Sequence, residues 1–353
     1  MTADLSDFLQ TSVREAAAQG IAINITGGNS KPFYGRVATG KPLDVIGHSG
    51  IVSYEPTELV ITARAGTKLT QIESLLAAHS QMLAFEPPHF GPNATLGGTI
   101  ACGISGPRRP YAGAVRDVVL GVKILNGKGE ILTFGGQVMK NVAGFDVSRL
   151  MVGAMGTLGI LLEVSLKVLP RPAAEETLCF EHPPAQAIEQ MNRWAGSSLP
   201  LSAAAYDGQA IHVRLSGSEA GVRSARSRLG GAADSNSAIF WHALREHEHA
   251  FFQGDSCLWR LSVPPATPPL NLPGRWFIDW GGAQRWLKSD APAYHIQQAA
   301  TQAGGHATQY SGPQDGGDVF QPLSPALMAL HKRIKTAFDP LGMLNPGRLY
   351  AQF

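Results

Sequence analysis

The sequence predicts an α+β protein with two domains, on three observations. Its 353 residues exceed one comfortable hydrophobic core, since domains usually span roughly 100 to 200 residues. Short runs rich in β-branched residues alternate with segments of helical periodicity. The Asn-Gly pair at 126–127 stands between apolar runs at 118–125 and 130–134, which is typical of an antiparallel hairpin. Strands mixed with helices, at least two of them paired antiparallel, indicate the α+β class.

The first half of the chain predicts closely spaced elements. Apolar residues at helical spacing predict a helix over 5–17, which Gly20 ends. A strand over 21–25 then runs directly into the glycine-rich loop 26–31. The next predicted elements are strands at 44–46, 51–54 and 59–63, a helix at 67–78 and a helix that includes Ile100 and Ala101.

Composition changes after the Leu-Pro-Arg-Pro segment at 169–172. All six tryptophans lie at or beyond position 194, and a proline-rich stretch at 264–274 predicts an extended excursion. We therefore place a domain boundary near residue 171, with a second α+β domain over 172–322. Its predicted strands are 201–206, 210–215, 258–263 and 275–280, and its predicted helices are 184–195, 218–229, 241–253 and 293–303. A final helix is predicted over 324–338.

Charge and cysteine content exclude several classes of function. The net charge is +2, with no long basic run, so nucleic acid is not an expected partner. The three cysteines are widely spaced and form no CxxC pair, which favours a reducing compartment and argues against a zinc site or an iron–sulfur cluster in this chain. We therefore expect no metal site.

We expect neither a secretory signal nor a membrane span in this sequence. Its first residues lack the basic and then apolar pattern of a secretory signal. The most apolar window, 150–169, carries Glu163 and Lys167 and alternates like a strand, so we expect no membrane span. These features predict a cytoplasmic protein.

Two glycine clusters suit the pyrophosphate of a dinucleotide. Main-chain N–H groups hold phosphate oxygens best where glycine lets the backbone come close. Thr26-Gly-Gly-Asn-Ser30 follows a strand, and Thr95-Leu-Gly-Gly-Thr99 leads into a helix. The spacing at 153–159 is GxxGxxG with a strand after it, which argues against a Rossmann NAD site, and no GxxxxGK[ST] is present.

These clusters, with two further segments, resemble a known flavoprotein family. The segments are Lys140-Asn-Val-Ala-Gly-Phe-Asp146, running into Met155-Gly-Thr-Leu-Gly-Ile160, and the tail Phe338-Asp-Pro-Leu-Gly-Met-Leu-Asn-Pro-Gly-Arg348. The chain is similar here to the PCMH-type FAD-binding family related to vanillyl-alcohol oxidase, and within it to the FAD-binding E subunits of bacterial glycolate oxidase. The resemblance implies FAD held between two α+β subdomains of a PCMH-type domain over 1–171, with a smaller α+β cap over 172–322 and a C-terminal segment, 323–353, that returns to the FAD domain.

The resemblance also implies which residues contact FAD. The first pyrophosphate loop, the second loop, the adenosine segment and the tail supply them. In that order they are Thr26, Gly27, Gly28, Asn29 and Ser30; Thr95, Gly97 and Gly98; Lys140, Asp146, Gly156, Gly159 and Ile160; and Asn345. No catalytic residue is identified.

The sequence departs from the family pattern at two places. Many members attach FAD through a histidine in the first loop, but Asn29 stands there, so we expect non-covalent FAD. Related 2-hydroxy-acid dehydrogenases carry an HxxxGDGNxH motif in the cap, and this chain has none. Oxidation of substrate by this chain alone is therefore in question.

Three further groups keep two interpretations each. His89 is either a base near the flavin or a structural turn residue. Arg108 and Arg109 hold an anion or lie on a loop. His247 and His249 bind a metal or lie on a solvated face, as the flanking glutamates suggest.

The resemblance implies a subunit of an oxidase that takes glycolate, or another short 2-hydroxy acid, to its 2-oxo acid. Electrons would pass to a sister FAD subunit and an iron–sulfur subunit, and the protein would be cytoplasmic, free or held at the inner membrane through these partners. The alternatives are a flavin-holding assembly subunit that oxidises nothing itself and a stand-alone FAD oxidase of a lactate-like or polyol substrate.

Overall fold

A computed structural model describes residues 3–136, 146–312 and 318–353. Its helices are α1 Ser6–Gln19, α2 Leu69–Ala78, α3 Leu96–Cys102, α4 Arg109–Ala112, α5 Val115–Val118, α6 Val147–Leu150, α7 Pro184–Ala195, α8 Glu219–Leu229, α9 Ser237–Arg245, α10 Ala293–Gln302 and α11 Pro325–Phe338. Its strands are β1 Ile23–Thr26, β2 Lys41–Asp44, β3 Ile51–Glu55, β4 Val60–Arg64, β5 Gln81–Met82, β6 Val119–Leu125, β7 Ile131–Gly135, β8 Ile160–Lys167, β9 Leu169–Pro170, β10 Ala174–Glu181, β11 Leu201–Tyr206, β12 Ala210–Gly217, β13 Ala232–Ala233, β14 Leu258–Ser262, β15 Arg275–Asp279, β16 Gln284–Lys288 and β17 His306–Ser311.

The first compact unit comprises 1–104, 114–170 and 322–353. Its main sheet is antiparallel, in the order β3-β4-β8-β6-β7, and β1 pairs with β2 in a separate parallel ribbon. One core cluster joins that sheet to α2 and α3, and a second joins α1, β1 and residues 343–344 to β8. Two subdomains, each with its own core, thus build this unit from the two ends of the chain.

The second unit comprises 105–113 and 171–321. It contains an eight-stranded antiparallel sheet in the order β13-β10-β12-β11-β15-β16-β14-β17. The segment 105–113 lies inside the range 1–171 predicted for the first domain. Arg108 ties it to this unit through a 2.6 Å contact with Glu175, and Arg109 lies 4.2 Å from the ring centroid of Trp280.

Most predicted elements of the first unit are present, including the hairpin of β6 and β7 and the helix end at Gly20. In the second unit the helix predicted over 241–253 is wrong. Helix α9 ends at Arg245 because His247 adopts a left-handed φ of 56°, and a 3-10 turn over Ala250–Phe252 follows. A non-glycine residue rarely adopts that conformation, so the helical pattern did not reveal the break.

Strand β16 was not predicted because its sequence is polar yet buried. Arg285 is 1% exposed, and its guanidinium donates to the carbonyls of Gly282, Pro268 and Thr267. The proline-rich excursion at 264–274 therefore supplies acceptors that let an arginine lie in a buried strand.

Candidate functional site

The first unit contains a cavity of about 310 Å³, within the range of roughly 300–1,000 Å³ usual for ligand sites. It lies where β1, the start of α3, the turn 154–156, the start of β8 and the C-terminal tail meet. The predicted residues that line it are Thr26, Gly27, Gly28, Asn29, Ser30, Thr95, Gly97, Gly98, Gly156, Gly159, Ile160 and Asn345. Segments up to about 320 positions apart in sequence thus share one wall.

The first glycine loop offers a row of unused main-chain donors. Within the part of the chain that the structure describes, the N–H groups of Gly27, Gly28, Asn29 and Ser30 make no hydrogen bond. Asn29 adopts a φ of 48°, which turns the backbone sharply at the loop. Consecutive N–H groups around such a turn form an anion-binding concavity.

Only glycine fits at position 28, because the backbone of Asn93 packs directly against it. A Cβ placed there would lie 1.5 Å from the carbonyl oxygen of Asn93 and 3.2 Å from Cγ2 of Thr95. The first loop therefore packs backbone to backbone against the segment that precedes α3, and only glycine allows this approach.

The second loop is built differently from the first. The N–H of Gly97 donates to Ala65 at 2.7 Å, and the N–H of Gly98 donates to the Thr95 hydroxyl, which caps α3, at 3.2 Å. These two donors are already engaged within the protein. The second loop therefore shapes the cavity wall, while the unused donors belong to the first loop.

Asn345 holds three parts of the wall together. Its Oδ1 accepts the Ile25 N–H at 2.7 Å, its Nδ2 donates to the Met155 carbonyl at 2.6 Å, and its own N–H donates to the Ile23 carbonyl at 2.9 Å. It is 5% exposed. The side chain thus positions β1 and the turn at 155 relative to the tail.

Two cationic side chains line the cavity, Lys31 at the end of the first glycine loop and Arg348 in the tail segment that carries the family resemblance. Lys31 is 7% exposed and donates to Ser30 Oγ and the His89 carbonyl, both at 3.2 Å. Arg348 donates to the carbonyls of Arg36 and Tyr34 at 2.6 and 2.8 Å. No carboxylate is among the described lining residues, so this cavity is electropositive.

Cys102 also lines the cavity. Burial raises the pKa of its thiol, and the nearby charges of Lys31 and Arg348 offset part of that shift. A protonated thiol is a weak nucleophile.

The lining fits a dinucleotide such as FAD. A pyrophosphate carries two negative charges, which four unused N–H groups and two cations would satisfy. The rest of the wall is formed largely by small and apolar residues, including Val37, Ala101, Met151 and Ala154, that suit planar rings.

Two predicted contacts are not part of this lining. Lys140 lies outside the described residues. Asp146 is exposed, caps α6 by accepting the Arg149 N–H at 3.1 Å, and forms an ion pair with the Arg149 side chain at 3.0 Å.

The remaining candidates have structural partners. His89 Nε2 lies 3.1 Å from Glu73. His247 stacks on Phe252 at 4.1 Å and contacts the rings of Trp286 and Tyr310, and desolvation first, then the charge of Arg260, lowers the pKa of His247 to about 3. The interpretation of a solvated histidine face at 247–249 is therefore wrong for His247, because aromatic rings pack around it.

The fold and the cavity define a protein of the FAD-binding-domain class. A family model described as "FAD binding domain" matches residues 3–135. In fold the chain is similar to alkyldihydroxyacetonephosphate synthase, with a TM-score of 0.66 and 16% identity over 97% of this chain and 76% of that one.

The family within this class follows from a full-length match. The chain is 50% identical to the glycolate oxidase subunit GlcE of Escherichia coli (strain K12) over 99% of this chain and 98% of that one. It belongs to the family of that subunit. A shorter region is 32% identical to the glycolate oxidase subunit GlcD of Bacillus subtilis (strain 168), over 45% of this chain and 33% of that one. In the described residues, no helix is both long and apolar enough to cross a membrane.

Proposed function

We propose that this chain is the FAD-binding subunit of a multi-subunit oxidoreductase that converts glycolate, or another short 2-hydroxy acid, to its 2-oxo acid. The observation that carries the proposal is the 50% identity to a glycolate oxidase subunit over nearly the whole of both chains. The electropositive cavity supports the cofactor assignment, since its unused donors suit a pyrophosphate.

The chain's own residues divide the work of holding the cofactor. The N–H groups of Gly27 to Ser30 bind the pyrophosphate, Lys31 adds positive charge, and Asn345 fixes the wall around them. We assign the neighbouring wall, including Gly156, Gly159 and Ile160, to the adenosine part. Bound flavin supplies the acceptor for a hydride from the C–H bond of the hydroxy acid.

Electrons then leave through partner subunits. The GlcD likeness over part of this chain supports a sister FAD subunit with a related domain, and we assign the next step to a separate iron–sulfur subunit. The sequence contains three cysteines, Cys102, Cys179 and Cys257, which is fewer than the four thiolate ligands of a common iron–sulfur cluster. The complex would work in the cytoplasm or at the inner face of the membrane.

The test is an absorption spectrum of the purified chain after FAD reconstitution, followed by anaerobic glycolate. We expect one oxidised flavin per chain, and we expect its visible band to bleach when glycolate is added. A folded chain that gains no flavin band would contradict the cofactor assignment. Bound flavin that stays oxidised even in the complete complex would contradict the reaction.

A second candidate function is a flavin-holding subunit whose substrate is oxidised in the sister subunit. One observation favours it: the described lining of the cavity has no histidine or carboxylate to accept the substrate's hydroxyl proton. In that case the band persists with glycolate and bleaches only after the GlcD-like subunit is added.

We propose that the FAD is bound non-covalently. Asn29 has no nucleophile to offer, and burial keeps the Cys102 thiol protonated. Acid precipitation of the reconstituted protein should therefore release all of the flavin into the supernatant. A coloured pellet would contradict this proposal, and loss of that colour in Cys102→Ser would locate the bond.

A further inference from the structure

The sheet of the second unit brings a cysteine and a histidine face to face. Cys179 on β10 and His212 on β12 are direct partners in the antiparallel register. Directly opposed residues of such a pair project to the same face of the sheet. Cys179 Sγ lies 3.3 Å from His212 Nδ1.

Asp234 joins them from the neighbouring edge of the sheet. It follows β13, which pairs with β10, and its N–H donates to the Thr177 carbonyl at 3.0 Å. Its Oδ2 lies 3.6 Å from His212 Nδ1. The sulfur, nitrogen and oxygen all lie within 4.8 Å of one another.

We propose that Cys179, His212 and Asp234 form a binding site for Zn²⁺ or a chemically similar divalent ion. Zinc bonds of about 2.0–2.3 Å at tetrahedral angles separate neighbouring ligand atoms by roughly 3.4–3.6 Å. The sulfur–nitrogen and nitrogen–oxygen separations, 3.3 and 3.6 Å, agree with that geometry. Thiolate, imidazole and carboxylate are also the three ligand types that zinc takes from proteins.

Asp207 acts as a positioning residue for the imidazole. Its Oδ2 lies 3.2 Å from His212 Nε2, on the side of the ring away from Cys179 and Asp234. Hydrogen bonds from the main chain of Gln209 and Ala210, both at 2.8 Å, fix that carboxylate. A ligand histidine commonly donates its other ring N–H to a carboxylate, which leaves the opposite nitrogen unprotonated for the metal. Asp207 thus presents Nδ1 to the ion.

The local charge also suits a dication. The carboxylates of Asp207 and Asp234 lie 3.2 and 3.6 Å from the two ring nitrogens of His212. The same two carboxylates attract a divalent cation, which displaces the thiol proton when it binds. The ring of Phe240 stacks on His212 at 3.8 Å and covers one face of the imidazole.

One coordination position stays open. The three residues supply three ligand atoms, and the side chains of His212 and Asp234 remain 12% and 15% exposed. A tetrahedral ion would therefore take water as its fourth ligand.

The test is an anaerobic titration of the full-length, flavin-free chain with Co²⁺, monitored by absorbance. We expect saturation at one Co²⁺ per chain, with a thiolate-to-cobalt charge-transfer band and intense tetrahedral d–d bands, all abolished by excess Zn²⁺. The charge-transfer band should disappear in Cys179→Ser and persist in Cys257→Ser, a matched change in the same unit. Asp207→Asn should keep the band and weaken Co²⁺ binding about 10- to 100-fold.

Three results would overturn the site. They are no saturable binding by the wild-type chain, a charge-transfer band that survives in Cys179→Ser, and unchanged Co²⁺ affinity in His212→Ala. The fold of each variant is checked by far-UV circular dichroism. If His212→Ala does not fold, the charge-transfer band of Cys179→Ser tests the site instead. The readout needs neither flavin nor glycolate, so its outcome is separate from that of the proposed function.

Discussion

Replacing Gly28 with alanine should abolish FAD binding at ordinary concentrations. The added Cβ would lie 1.5 Å from the Asn93 carbonyl oxygen, whereas real Cβ atoms keep at least 3.0 Å from such atoms. The loop and the segment before α3 must therefore separate by roughly 1.5 Å. Loss of two charge-assisted hydrogen bonds, at about 1.5–3 kcal/mol each, lowers affinity at least about 100-fold. Flavin fluorescence during FAD titration measures this change.

Alanine substitutions at two further glycines serve as controls for Gly28→Ala. At Gly27 a Cβ would lie 3.0 Å from Thr95 Oγ1, so Gly27→Ala requires a smaller shift and should lose less affinity. At Gly196, in the second unit, the nearest atom is 3.7 Å away and φ is −81°, so Gly196→Ala should bind FAD like the wild type. A folded Gly28→Ala chain with wild-type affinity would show that this loop does not hold the pyrophosphate.

The sequence predicted that this glycine loop lines a cavity, because close backbone packing requires glycine at Gly28. A glycine motif of this kind can be interpreted from the local sequence, because it reflects the backbone conformation at that position. Lys31 and Arg348 both lie in motifs that carry the family resemblance, but the direction of their charged groups could not be predicted. Their orientation depends on carbonyls of residues 34, 36 and 89, which only the tertiary structure brings near.

The proposed metal site of the second unit, by contrast, could not be predicted from a local sequence motif. Cys179, His212 and Asp234 are spaced too widely for any local motif, and the expectation of no metal site rested on the absence of a CxxC pair. Strand pairing between β10 and β12, and between β10 and β13, brings them together. That register could not be read from the sequence, because β10 and β13 were not among the predicted strands.

The buried ion pair between Lys335 and Asp339 was not predicted either, for a different reason. Lysine and aspartate four positions apart on a helix usually form an exposed pair of small effect. Here Lys335 and Asp339 are 3% and 1% exposed. The sequence pattern of a surface pair and of a buried pair is the same, and only the packing of α11 distinguishes them.

Replacing Lys335 with methionine should destabilise the first unit by about 3–5 kcal/mol, because it strands a buried charge. The ammonium uses all three donors, toward Thr157 O at 2.7 Å, Leu344 O at 2.8 Å and Asp339 Oδ2 at 2.6 Å. Desolvation lowers the pKa of Lys335, and Asp339 offsets part of that shift. Because methionine fills a similar volume, the lost stability comes mainly from the lost charge and hydrogen bonds.

The Lys335→Met change should also weaken FAD binding, because Lys335 and Asp339 hold the backbone of Leu344, the residue before Asn345. Asp339 Oδ2 accepts the Leu344 N–H at 2.8 Å, so the pair fixes the tail where it enters the cavity wall. Thermal release of flavin, followed by its fluorescence, reports on the first unit. Tryptophan fluorescence reports on the second, where all six tryptophans lie. We expect the flavin-release transition to move to lower temperature.

A matched control and a double variant separate the stranded charge from lost packing. Lys332→Met changes an exposed residue one turn earlier on α11 and should alter stability by no more than about 0.5 kcal/mol. Adding Asp339→Asn to Lys335→Met removes the unpaired carboxylate and should recover part of the loss. If Lys335→Met alone released flavin at the wild-type temperature, the buried pair would not stabilise the tail. If the double variant were the less stable of the two, loss of the Asp339 hydrogen bonds, and not its unpaired charge, would be the larger cost.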